Sequence, residues 1–306
     1  MKVRILVRIL PFALVLAAGC GSDGVPGESP IDEQTQAYID EMLAVGEFAN
    51  VGRRCATPNL SNRAAEAIDA IAAGRRVGPA TLPVDDGPIN VYLHEIIDDD
   101  GTTGNIGGIA IGLQILVLNL AYADFATFVL AENTETINGA WFNAGPASLE
   151  EIEMKQNLHQ GGRRALNIYT NRPSGDVLGW ATFPFLSLFL PRIDGIVLDH
   201  RTFPLGSIPP YNEGDTLVHE VGHWLGLFHT FQGRCLFGDR VADTPAERTP
   251  SYDCDEERDT CALLNGTDPV HNYMDYADDT CTDVFTEGQL TRAEAQYTSF
   301  RSGQED

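Results

Sequence analysis

The chain has 306 residues, 43% of them hydrophobic, enough to bury a proper core. Its formal net charge of -24 speaks against nucleic acid or anionic lipid as partner, since both require basic surface. Such acidity serves solubility first, and it also suits oxygen-rich sites for hard cations such as calcium.

The first residues, MKVRILVRILPFALVLAAGC, read as an export signal over 1–19. Lys2, Arg4 and Arg8 form the positive region and Ile9 to Ala18 a short apolar region, too short to anchor in a bilayer. Ala17, Ala18 and Gly19 then precede Cys20, an order similar to the bacterial lipoprotein processing site, where the cysteine becomes the lipidated N-terminus. Ala17 stands where leucine is commoner, so a plain secretory signal with Cys20 incidental stays open. No later segment reaches about 18 uninterrupted apolar residues, so a lipid on Cys20 is the one expected link to a membrane. Six cysteines in an exported chain suggest disulfides. Cys235, Cys254, Cys261 and Cys281 crowd the C-terminal third and allow three pairings, while Cys55 stands alone.

Residues 21–30, GSDGVPGESP, read as a tether, followed by a polar helix from Ile31 to about Phe48 and a second near Ala64 to Ala73. The stretch GRRVGPATLP breaks the pattern and marks a boundary or processing site. A strand is expected at Ile89 to Ile96. Ile111, Ile115, Leu118 and Tyr122 then form an apolar helix face, with Gln114, Asn119 and Asp124 arguing against a membrane span. Short strands follow at TFVLAE and AWFN. ASLEEIEMKQNLHQ reads as a helix that Ser148 and Glu151 open as a capping box. ALNIYT, LGWATFP and GIVLDH complete the strands, and the alternation predicts a mixed, mostly parallel sheet covered by helices. Everything beyond His229 is rich in Gly, Asp, Cys and Pro and is expected to be stapled loop.

The chemistry concentrates in HEVGHWLGLFH. Residues four apart share a helix face, so His219 and His223 can aim their rings at one ion. Gly226 offers a place to end the helix and turn, because glycine tolerates positive φ, and three residues later His229 arrives as a third ligand. Three histidines leave zinc's fourth position to water, the arrangement of a catalytic site, and zinc lowers that water's pKa toward about 7. Glu220 projects beside the ion, where it can take the water's proton and later give it to a leaving amine. A buried amphipathic helix would explain Val221, Trp224, Leu225 and Phe228 but not the fixed polar and glycine positions. His94, His159, His200 and His271 have no ligand spacing and read as structural or surface residues.

The pattern His-Glu-x-x-His-x-x-Gly-x-x-His resembles the signature of the metzincin metallopeptidases, and HNYMDY resembles their methionine turn, with Met274 as the floor under the histidines. Tyr276 matches the tyrosine that in some metzincins approaches zinc and stabilises oxyanion charge. The closer resemblance is to the pappalysin family, including cytophagalysin-like bacterial members. LGWATFP, YNEGDTLVHEVGHWLGLFHTFQGRC, GDRVADTP, DPVHNYMDYADDTC and FTEGQLTR fall in order from Leu178 to Arg292. The resemblance implies an α/β (α+β) zincin-like metzincin fold: a twisted mixed sheet with an active-site helix, then a loop-rich, disulfide-stapled C-terminal subdomain with a Met-turn. It implies the pairings Cys235–Cys261 and Cys254–Cys281, and a calcium loop with Asp239 and Thr244 as ligands. It also makes LGWATFP the edge strand that binds an extended peptide, and it makes Cys55 a latency thiol able to occupy zinc's open position. Arg53 and Arg54 beside that thiol are expected to favour thiolate. Relatives favouring basic residues carry an acid near the last cysteine, where this chain has Thr280, with Asp278 and Asp279 just before it.

The sequence therefore predicts a signal peptide over 1–19, a tether and pro-segment over 20–76, and a catalytic domain over 77–306. Cleavage near Arg75 or Arg76 would activate the enzyme and cut it from a lipid. The expected activity is that of an exported zinc endopeptidase acting on proteins or peptides. A catalytically inactive zinc-containing binding module and a zinc hydrolase of non-peptide amides are the alternatives.

Overall fold

The computed structural model describes residues 54–75, 83, 85–123 and 125–302. The expected signal peptide, Cys20, the tether, the first polar helix and Arg76 lie outside the described residues.

Helix α1 (Asn62–Arg75) is followed by strand β1 (Ile89–Ile97), helix α2 (Gly108–Ala121) and strand β2 (Phe128–Ile137). Short helix α3 (Gly139–Phe142), helix α4 (Leu149–Leu158) and strands β3 (Leu166–Asn171), β4 (Gly179–Ala181) and β5 (Ile196–Asp199) come next. Helix α5 (Asp215–Trp224) carries the histidine motif, and α6 (Arg234–Phe237) and α7 (Glu287–Phe300) complete the order. The sheet runs β2-β1-β3-β5-β4, parallel except for β4, which lies antiparallel to β5 at the edge. Every residue of β3 and β5 is buried, as expected for strands covered on both faces. This is the mixed, mostly parallel sheet that the sequence predicts.

The apolar face of α2 buries Ile111 and Leu118, while Ile115 is only half-buried and Gln114 takes its place inward. The Gln114 amide donates to the Gly214 carbonyl at 2.9 Å and the Tyr122 hydroxyl to the Val218 carbonyl at 2.9 Å. Both bonds tie α2 to the start of α5. The stretch AWFN, expected as a strand, lies instead in α3, because the Asn138 side chain accepts from the Ala140 and Trp141 amides and caps a helical turn. Ser148 caps α4 as predicted, but the Glu151 carboxylate does not complete the box. It accepts from the Ala147 amide, from the Trp180 indole and from Lys155.

Beyond His229 the expectation of loops alone is corrected by α7, which Thr286 and Gln289 open with a true capping box. Apart from the single turn of α6, which carries Cys235, the rest of that region is irregular, and it is crossed by the disulfides Cys235–Cys261 and Cys254–Cys281. Helix α1 sits on α7: Ala65, Ile68 and Ala72 share a cluster with Phe183, Phe185, Phe228 and Phe300. Arg292 and Arg240 both pair with Asp69, at 2.9 and 2.6 Å. Among the described residues no helix is long and apolar enough to cross a membrane.

Candidate metal centre

Helix α5 is buried from Leu217 to Trp224, so its polar side chains sit inside the molecule and need fixed partners. Below it, Met274 is fully buried, and a Cβ on Gly222 would come within 2.3 Å of the Met274 sulfur. Gly222 is therefore the position that lets the methionine reach the underside of the helix. The helix ends at Trp224, and Gly226 adopts φ 94, as a left-handed terminus requires. The Gln296 side chain covers it, 2.7 Å from where a Cβ would stand. The chain then reverses and delivers His229 beside His219 and His223.

Each ring is held by its Nδ1. His219 donates to the Tyr273 carbonyl at 2.6 Å, His223 to the Leu227 carbonyl at 2.8 Å, and His229 to the Asn59 side-chain oxygen at 2.9 Å. Carbonyl oxygens only accept, so each Nδ1 carries the proton and each Nε2 presents a lone pair. Burial keeps the rings neutral, lowering His219 to about 4 and His223 and His229 well below the ordinary range. Nε2 of His223 lies 3.1 Å from that of His219 and 3.0 Å from that of His229. Acceptors that close repel unless a cation lies between them. Zinc at roughly 2.0–2.1 Å from each nitrogen would hold tetrahedral ligands about 3.3 Å apart, so the donor set fits that ion.

The Cys55 sulfur completes the cluster: ligand atoms of Cys55, His219, His223 and His229 all lie within 4.8 Å of one another, and all four residues are buried. The expectation that neighbouring arginines favour the thiolate is corrected here. Burial and the nearby Glu220 carboxyl push the thiol up, while the Arg54 guanidinium stacks over the Tyr211 and Tyr252 rings, 4.0 and 5.1 Å from their centroids. A bound dication is what would deprotonate this sulfur.

The segment around Cys55 occupies the cleft by strand pairing. Leu178 donates to the Arg54 carbonyl at 2.7 Å and Ala56 to the Gly179 carbonyl at 2.9 Å, so the segment extends the sheet beyond β4 in parallel. The Thr57 hydroxyl donates to Glu220 Oε2 at 3.0 Å and accepts from the Ala181 amide at 2.8 Å. Glu220 is fully buried, with burial raising its carboxyl to about 8 and Oε1 lacking a hydrogen-bond partner among the described residues. The Tyr276 hydroxyl donates to the Cys55 carbonyl at 3.2 Å, and its ring centroid is 5.0 Å from that of His229.

The cleft that holds Cys55, His219, Glu220 and Tyr276 is also lined by Arg54, Asp215, Asp275 and Asp279. Thr280 is exposed and does not line it, so the cleft's aspartates are Asp215, Asp275 and Asp279. Farther off, Asp239 is buried, accepts from the Val241 amide at 3.0 Å and is pushed up by burial to about 7. The Thr244 hydroxyl has no hydrogen-bond partner among the described residues. His94 is buried, stacked on Tyr169 and bonded to Thr134 and Asn167. His271 is half-buried, with its Nδ1 2.7 Å from the Cys281 carbonyl.

Sequence reasoning missed four residues of this site. Gly222 and Gly179 are missed because only close approach explains them: a Cβ on Gly179 would sit 3.0 Å from the Glu220 side chain. Thr57 and Asn59 are missed because their partners lie 163 and 170 positions away. Their one signal is alternation with Cys55.

The family profile described as pregnancy-associated plasma protein-A matches residues 208–297, from before α5 to near the end of α7. "Extracellular metalloprotease 1" of Coccidioides posadasii is 39% identical over 276 residues, covering 85% of this chain and 96% of the relative. An "Extracellular metalloprotease" of Sordaria macrospora is 40% identical over 220 residues, covering 70% of this chain and 76% of the relative. Among solved structures, mature mirolysin of Tannerella forsythia in complex with a cleaved peptide superposes with a TM-score of 0.60 at 27% identity. That match covers 73% of this chain and 97% of mirolysin. A promirolysin variant from the same organism gives a TM-score of 0.63 at 28% identity, covering 78% of this chain and 88% of that one. The converging imidazoles, the mixed sheet and these relatives together place the chain in the pappalysin family, as a metalloendopeptidase.

Proposed function

We propose that the protein is an exported zinc endopeptidase made as a latent precursor. The observation that carries this reading is the convergence of three Nε2 lone pairs beside the buried Glu220 carboxylate, whose Oε1 has no hydrogen-bond partner among the described residues. Zinc held by His219, His223 and His229 would supply Lewis acidity and bring a water's pKa toward about 7. Glu220 then takes the proton of the attacking water and delivers it to the leaving amine. Tyr276 would donate its hydroxyl to the oxyanion that develops on the scissile carbonyl, a role supported by the Cys55 carbonyl it already meets. Met274 against Gly222 supports the reading of a methionine floor beneath the rings.

The edge of β4 supports an extended peptide as substrate, because a strand already pairs there. Burial lowers the Arg54 guanidinium to about 10 while Asp278, Asp275 and Asp279 oppose that loss of charge, and this acidic surround supports a basic side chain on that side of the cut. Latency is supported by four contacts of one segment: Cys55 at the metal cluster, Thr57 on Glu220, Asn59 on His229 and the Cys55 carbonyl on Tyr276. Residues 20–76 act as tether and pro-segment, with 77–306 as the catalytic domain. Calcium at Asp239 and Thr244 rests on the buried Asp239 carboxyl with the Thr244 side chain beside it. It should raise the melting temperature of the native chain and not of Asp239→Asn.

The test is metal analysis of purified protein together with a casein digest, before and after processing, with Glu220→Ala as control. One zinc per chain and Glu220-dependent cleavage are expected. Metal-free protein, or a digest that survives Glu220→Ala, sinks the proposal.

A further inference from the structure

The segment that fills the cleft is extended, so its side chains alternate between two faces. Cys55, Thr57 and Asn59 face the metal cluster, Glu220 and His229. Ala56, Pro58 and Leu60 fall on the other face and line a cavity of about 330 Å³. Its remaining wall includes Ile152, Trp180, Phe183, Phe185, Leu186 and Leu190. A cavity of about 150 Å³ already accepts a benzene ring, so this space takes two large side chains, and the small Ala56 and Pro58 leave it underfilled.

The wall offers no free charge. The Lys155 ammonium lies 2.9 Å from Glu151 and also reaches the Thr182 hydroxyl and the Gly195 carbonyl, both at 3.4 Å. The Glu151 carboxylate takes the Trp180 indole proton at 2.7 Å and the Ala147 amide at 2.6 Å. With those atoms satisfied among themselves, only apolar surface remains for an occupant.

The geometry points to an apolar substrate subsite in this groove, on the Ala181 side of the scissile bond, which rests on the peptidase reading above. A peptide paired with β4 presents alternate residues to the groove, whichever way it runs. Large apolar side chains such as Leu, Met or Phe fill it and desolvate the wall, where Ala or Gly leaves it open and Lys or Glu buries an unpaired charge.

The experiment uses the full-length chain after processing, incubated with a peptide library and read by mass spectrometry. Large apolar residues should exceed Ala by about tenfold or more in kcat/KM at one or two alternate positions, all on one side of the cut. Leu186→Glu should erase that preference and admit Lys at the same position. Leu190→Glu repeats the test at a residue 38% exposed, where folding is not at stake. Cleavage with a flat profile on both sides, or an unchanged apolar preference in a folded variant, overturns the subsite while leaving the peptidase intact. No cleavage of any peptide or of casein overturns both.

Discussion

Gly222→Ala tests whether the methionine floor and the active-site helix are one packed unit. The added methyl would stand 2.3 Å from the Met274 sulfur and 3.2 Å from its terminal carbon, in a site with no exposed surface. Normal contact distances near 3.5–4.0 Å require the methionine to retreat by about 1.5 Å. Overpacking of this kind costs about 1–3 kcal/mol, and replacing a helical glycine returns about 0.5–1 kcal/mol. The net loss is about 0–2.5 kcal/mol, a fall in melting temperature of up to about 10 °C for a domain of this size. Thermal unfolding of the zinc-loaded and chelated forms measures it, with zinc content followed in parallel. In a Met274→Ala background the same change should become neutral or stabilising, because the obstacle is gone. Were Gly222→Ala alone to stabilise the protein with its zinc intact, the packing argument would be wrong.

Cys55→Ala should yield a precursor that digests casein before any processing; a variant as latent as the native chain removes the thiol from the latency mechanism. Tyr276→Phe should lower kcat about 10²–10³-fold with little change in KM, as loss of one oxyanion donor does, and an unchanged kcat leaves the tyrosine a packing residue. Arg301 is fully buried, stacks 3.6 Å over Trp224 and pairs with Asp194 at 2.7 Å. Arg301→Ala should therefore strand the carboxylate and cost about 3–5 kcal/mol, read as a large drop in the denaturant midpoint without loss of bound zinc at low temperature.

The parts of this molecule that follow a local rule were legible from the sequence. His219 and His223 obey helical spacing, and the buried strands announce themselves as apolar runs between turns. The disulfide partners became legible through family resemblance, since spacing alone leaves three pairings. Long-range convergence was hidden: nothing near Thr57 or Asn59 reveals that their partners sit on α5 and in the turn after it. A strand at AWFN does not form: Trp141 and Phe142 suit a strand, but the Asn138 oxygen decides for a helical turn. Helix α7 was overlooked because polar composition masks its narrow apolar face of Ala293, Tyr297 and Phe300.

Helix α1 sits downstream of the blocking segment, and it is anchored by its own contacts. The Ser299 hydroxyl donates to the Ala72 carbonyl at 2.9 Å, and Arg75 returns a bond to the Ser299 carbonyl at 3.2 Å. A single nick near Arg75 would thus leave two pieces still clasped together, the shorter one acting as a tight, dissociable inhibitor of the longer. Activity would then lag behind the band shift on a gel, appear faster on dilution or in high salt, and vanish again when excess fragment is added back.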